Sequence, residues 1–139
     1  VDRIQGGVVT VPVYELELPW TSPPLSLNHR RHWRAYAKKA AMLRETACLL
    51  AKQQRLHVGG PWPHVEVTLH YVPRDRRVRD VENPTPTLKA LADGLVDAGV
   101  VIDDDPTHMT KHMPVIHDPS GLKARLWLEV QFPAIEEFA

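Results

Sequence analysis

The chain has 139 residues, 43% of them hydrophobic and 24% charged, and its formal net charge is zero. These figures suit one folded domain with a core, and they exclude a disordered chain and a nucleic-acid binder that works by bulk positive charge. No apolar run approaches the roughly 20 residues that span a bilayer, and the opening residues lack the basic flank and apolar stretch of a signal peptide, so a cytoplasmic protein with no membrane partner is expected.

In chain order, Val13 to Leu18 alternates as a half-buried strand does, with Leu16 and Leu18 facing inward. Pro19, Pro23 and Pro24 then make a loop. From Arg34 to Leu56 the residues Ala40, Leu43, Ala47 and Leu50 recur at helical spacing, which predicts an amphipathic helix ended by Gly59-Gly60-Pro61. The single cysteine, Cys48, lies in this apolar-rich run and reads as core filling. Val65, Val67, Leu69 and Tyr71 alternate with polar residues in a second strand. Thr85 as N-cap and Pro86 in the first turn predict a helix through Leu88, Leu91, Leu95 and Val96, stopped by Gly99. A further extended segment lies near His108 to Val115, and a last strand runs from Arg125 to Phe132. The order predicts a single α+β domain over residues 1–139, with a mainly antiparallel, mixed sheet carrying two main helices.

Charge is distributed unevenly within the neutral total. Between Asn28 and His57 the basic residues, among them Arg30, Arg31 and Arg34, face one acid, Glu45. A second basic cluster, Arg74, Arg76, Arg77 and Arg79, leads into the acids Asp80 and Glu82. Cations mixed with an aromatic ring, as in His29-Arg30-Arg31-His32-Trp33-Arg34, suit a DNA backbone, although a solvated helix entrance accounts for each residue equally well. If residues 80–82 are extended, Asp80 and Glu82 point the same way, and two like charges held close call for a cation between them. Oxygen-only ligands suit magnesium or manganese, and one of Asp103, Asp104 or Asp105 could complete the cluster. The other reading is a helix cap and a solvated aspartate turn. Lys89 is similarly divided between a surface pair with Asp93, four residues on, and a phosphate contact. The histidines His108, His112 and His117 lack the companion cysteines and the spacing of a zinc site, and Trp127 reads as sheet packing or interface.

Arg79-Asp80-Val81-Glu82-Asn83, then Leu88-Lys89-Ala90-Leu91-Ala92-Asp93-Gly94-Leu95, then Ala98-Gly99-Val100-Val101-Ile102-Asp103-Asp104 together resemble the RusA family of Holliday junction resolvases of phages and prophages. Leu18-Pro19-Trp20, Pro23-Pro24 and Asn28 also resemble the start of that family. The resemblance implies a RusA-like fold and catalytic roles for Asp80, Glu82, Lys89 and Asp104, with Asp80, Glu82 and Asp104 holding magnesium, or manganese in its place. It also implies a homodimer that nicks four-way DNA junctions in pairs during recombination and repair, in the cytoplasm of a bacterial host. Arg30, Arg31, Arg34, Arg76, Arg77 and Arg79 would then meet DNA phosphates. The chain departs from the family pattern where Glu82 stands for the usual aspartate, where Pro84-Thr85-Pro86 lengthens the spacing to Lys89, and where Asp105 adds a third aspartate. A junction-binding protein with weak or lost cleavage is the alternative.

Overall fold

The alternation between Val65 and Val72 builds the centre of the sheet. The computed structural model describes residues 3–4, 7–8, 12–28, 32–119, 121 and 123–133. Two short strands, β1 (Arg3–Ile4) and β2 (Gly7–Val8), pair with each other apart from the main sheet. There follow β3 (Val13–Glu17), α1 (Trp33–Gln53), β4 (Val65–Val72), α2 (Thr85–Asp97), β5 (Met109–Lys111), β6 (Val115–Ile116) and β7 (Arg125–Gln131). β7 lies between β3 and β4 and is antiparallel to both, whereas β5 and β6 run parallel to β4 along its other edge. The result is an α+β fold with one five-stranded mixed sheet and two helices.

Register explains which face is buried. Leu16, Leu128 and Leu69 stand side by side across three strands, and all three are fully buried. Because side chains alternate along each strand, the same pleat sends Val65, Val67 and Tyr71 inward and leaves Glu66, Thr68 and His70 on the opposite face. The helices join Leu43, Ala47, Leu91 and Leu95 to this one core cluster.

The sequence reading and the structure differ at the helix ends and at the last parallel strands. α1 stops at Gln53, ahead of the glycines, because Arg55 adopts a left-handed conformation (φ 61°). Its amide bonds to the Lys52 carbonyl at 2.9 Å while that of Leu56 reaches Ala51 at 2.9 Å. This is a Schellman closure without glycine, and it turns Leu56 into the core. At the start of α2 the capping position is Pro84 and not Thr85, whose hydroxyl instead donates to the Glu82 carbonyl at 2.8 Å. Gly99 does end α2, with φ 83° and the Val100 amide bonded back to Leu95 at 3.1 Å. The segment from His108 to Val115 divides into β5 and β6, whose parallel direction the alternation could not reveal.

Two contacts lock the helices. At Gly94, a β-carbon would come within 2.2 Å of the Arg44 carbonyl oxygen and 2.8 Å of the Ala47 Cβ, so only glycine lets α2 approach α1 this closely. One turn further on, the Arg44 guanidinium grips Asp97 through two hydrogen bonds of 2.5 and 2.8 Å. The pair holds the Asp97 carboxyl below the ordinary carboxylate range, mainly through the hydrogen bond from Arg44.

Gly94→Ala should therefore cost roughly 1–3 kcal/mol in denaturant unfolding, despite the better helix propensity of alanine, because the clash is with backbone. Since the folded pKa of Asp97 lies below its unfolded value, the stability it contributes is full above about pH 4 and is lost as pH falls through the depressed value. Asp97→Asn should accordingly flatten the decline of stability below pH 4 and leave its shape near pH 7 unchanged.

Candidate functional site

The loop that leaves β4 is organised by its own charges. The Asp75 carboxylate accepts the Arg77 backbone amide at 3.1 Å, the Arg77 side chain at 3.2 Å and the Arg79 guanidinium at 2.8 Å. These bonds, the backbone one foremost, hold its pKa down to about 2. Arg79 also donates to the Asp75 and Arg77 carbonyls, both at 2.9 Å, and lies over the Tyr71 ring, 5.9 Å from its centroid. Its side chain is 19% exposed against 80% for Arg77. Arg79 thus builds the loop that Arg76 and Arg77 present to solvent.

Residues 80–84 are a turn and not the extended segment that the spacing suggested. Asp80 Oδ1 accepts the Glu82 amide at 2.9 Å, and its carbonyl accepts Asn83 at 3.0 Å. The Glu82 carbonyl accepts both the amide and the hydroxyl of Thr85, so the turn winds directly into α2. Two tethers fix its position. Leu27 donates to the Asn83 carbonyl at 3.0 Å, and the fully buried Thr87 hydroxyl exchanges two hydrogen bonds with the Leu25 backbone. Asp80 and Glu82 are both exposed, and Asp80 lines a cleft of about 170 Å³ with Asn83, Tyr71, Arg79 and Ile116.

Lys89 and Asp104 do meet. The Lys89 ammonium donates to Asp93 at 2.9 Å and to Asp104 at 2.8 Å. A residue that the spacing did not single out, Lys111 at the end of β5, donates to the Asp104 carbonyl at 2.8 Å and sits 3.2 Å from its carboxylate. Nothing in the sequence marks Lys111, because β5 brings it to Asp104 only through pairing with β4. The three aspartates divide their work. Asp103 accepts the Asp104 amide, Asp105 caps the turn to His108, and Asp104 alone of the three reaches Lys89. Its carboxyl is held below the usual range chiefly by the Lys89 hydrogen bond, and Lys89 is raised chiefly by Asp104 and then Asp93.

All the sequence-predicted metal ligands are carboxylates, the donor chemistry that suits magnesium. Among the described residues, no group of three or more His, Cys, Asp or Glu side chains that could hold a metal is found. Of the arginines assigned to DNA, Arg30 and Arg31 lie outside the described residues. Arg34 is exposed beside the Trp33 ring, 5.5 Å from its centroid. The histidines near the chain end go to separate partners: His108 to Asp105, His112 to Glu66 and His117 to His70.

No protein-family model matches the chain, and no curated protein matches it. No helix among the described residues is long and apolar enough to cross a membrane.

Because the largely buried Arg79 side chain makes three hydrogen bonds to the loop whereas Arg77 adds one long, exposed side-chain bond, Arg79→Ala should lower unfolding stability by about 1–2 kcal/mol and speed proteolysis within residues 74–80. Arg77→Ala, which keeps the backbone bond to Asp75, should have a clearly smaller effect on both.

Proposed function

We propose that this chain is a RusA-type endonuclease that resolves four-way DNA junctions by paired nicks. It would work as a homodimer, with magnesium or manganese, in the cytoplasm of a bacterial host and from a phage or prophage genome. The observation that carries the proposal is the Lys89–Asp104 contact, which joins two motif positions lying 15 residues apart. A two-fold dimer suits a junction of approximate two-fold symmetry that must be cut twice.

The protonation states define what each group can do. Lys89 is pushed further toward its charged form, so at neutral pH it serves as a fixed positive charge and not as a proton acceptor. At 59% exposure its side chain can reach a phosphate, while Lys111, at 30%, backs Asp104 from the strand side. Asp104 stays ionised and so supplies a carboxylate and not an acid. Magnesium, if held by Asp80, Glu82 and Asp104, would polarise the phosphate and lower the pKa of a water. Arg76, Arg77 and Arg34 would take neighbouring backbone phosphates, which position DNA without reading its sequence.

Glu82, where the resemblance calls for an aspartate, favours a second reading, a junction-binding protein with weak or lost cleavage. One assay on a synthetic four-way junction separates the two. We expect symmetric nicks that require magnesium or manganese. Asp80→Asn, Asp104→Asn and Lys89→Ala should each slow cutting by about 100-fold or more while junction binding persists. Cutting by Asp104→Asn at the wild-type rate would sink the nuclease site as assigned. Tight binding without cutting in either metal, with cutting restored by Glu82→Asp, would establish the binding protein instead.

A further inference from the structure

The face of the sheet opposite the helices carries a group that the nuclease proposal does not use. His70, on β4, and His117, just after β6, meet head-on, with His70 Nδ1 2.9 Å from His117 Nε2. The other nitrogen of His70, Nε2, is 2.7 Å from the Glu129 carboxylate on β7. An ionised carboxylate only accepts, so His70 Nε2 carries a hydrogen and donates it to Glu129. Its Nδ1 is then the acceptor for the Nε2 hydrogen of a neutral His117. Both rings lie nearly parallel to the Trp127 indole, with centroids 4.9 Å away at 3° for His70 and 5.4 Å away at 17° for His117. The Arg125 guanidinium lies 3.8 Å from the centroid of that indole ring.

We propose that Glu129, His70 and His117 form a proton-operated latch, closed while the two facing nitrogens share one hydrogen and opened when both imidazoles are protonated. Proton counting carries it. Two rings have four nitrogens, and a separation of 2.9 Å between the facing pair leaves room for a single hydrogen. The closed latch therefore holds at most three ring hydrogens, two when both rings are neutral and a third when one is charged. A fourth would set N–H against N–H and put two cations on rings whose centroids are 5.2 Å apart. The contact must then break.

The surroundings hold one of these charges but not two. Glu129 and Arg125 face the rings from β7, and Arg125 is itself gripped by Glu15 and Glu17 of β3. Asp118 lines, with His117, an open cleft of about 410 Å³, to which the loop after β4 adds Asp75, Arg76, Arg77 and Arg79. Glu66, the one acid of β4, is taken by His112. Five carboxylates thus stand around the pair against four guanidiniums, which balances a first imidazolium and leaves a second uncompensated. Burial, then repulsion from His70 and Arg125, lowers the His117 pKa accordingly. Because the folded value lies below the unfolded one, near 6.5, the stability that the closed latch contributes is full above about pH 6.5 and is lost as pH falls through the depressed value.

What the latch holds is the edge of the sheet. β6 is two residues long, and its pairing with β4 ends at the His117 amide, which donates to the Tyr71 carbonyl at 2.8 Å. Ile116 also walls the cleft that contains Asp80, so opening the latch loosens one side of that cleft. The device stands apart from the nuclease proposal and survives its failure.

The test is nitrogen NMR of the full chain, titrated from about pH 7.5 to about pH 4.5. We expect a scalar coupling across the hydrogen bond between His70 Nδ1 and His117 Nε2 at the upper pH, and its loss once both rings show the shifts of imidazolium. Over the same step the His117 amide should lose about 10-fold or more of its hydrogen-exchange protection, corrected for the intrinsic rate, while the amides of α2 keep theirs. In His117→Gln the side-chain amide can still donate to His70 but takes up no proton, so protection at residues 115–117 should change less than about 3-fold across that range. His112→Gln, which removes an imidazole paired with Glu66 elsewhere on the sheet, should release as wild type does. No coupling between the facing nitrogens at the upper pH, a His117 amide whose protection is unaltered as the coupling disappears, or the same loss of protection in His117→Gln would each overturn the proposal.

Discussion

The close approach of the two helices at Gly94 is the constraint on which the candidate site depends. Glycine inside a helix costs about 1 kcal/mol relative to alanine, a loss accepted here because α2 lies directly against the Arg44 carbonyl of α1. That contact fixes how deeply α2 sits on the sheet and how it is rotated. Leu88, Leu91 and Leu95 then enter the core, while Lys89 and Asp93 remain on the accessible side. Rotation of the helix would carry Lys89 away from Asp104, and the ionic cluster would come apart.

A second set of bonds holds the start of α2. Thr87 is the buried polar residue of the described core, and its hydroxyl satisfies both the amide and the carbonyl of Leu25. Leaving those backbone groups unpaired would cost about 1–3 kcal/mol each, so the proline-rich loop after β3 is firmly docked without regular structure of its own. The turn carrying Asp80 and Glu82 is thereby held from the loop side and from the helix side. The acidic motif is displayed on a rigid support, although its carboxylates are exposed.

Neutral net charge conceals a division of labour among the ions. Some pairs build structure: Asp75 with Arg79 shapes the loop, Arg44 with Asp97 joins the helices, and Arg125 with Glu15 and Glu17 ties β7 to β3. Lys89 bridges Asp93 and Asp104, and Lys111 backs Asp104, so two cations face two carboxylates in one charge-balanced cluster. The second face of the sheet adds an aromatic and imidazole layer over Trp127.

The sequence by itself determined the strands around Leu16, Leu69 and Leu128, the inward faces of both helices and the stop at Gly99, because these follow from periodicity and from the conformational freedom of glycine. The motif string also placed Lys89 and Asp104 among the residues of interest before any contact between them was visible. Tertiary structure decided what depends on partners distant in the chain. It decided that β5 and β6 run parallel to β4, that Arg79 turns inward while Arg77 does not, and that Lys111 joins Asp104. It also paired His117 with His70, 47 residues away, where spacing had grouped it with His108 and His112. The physical reason is the same in each case. A period of 2 or 3.6 reports which face of an element is buried, whereas strand order and register decide which side chains meet across it.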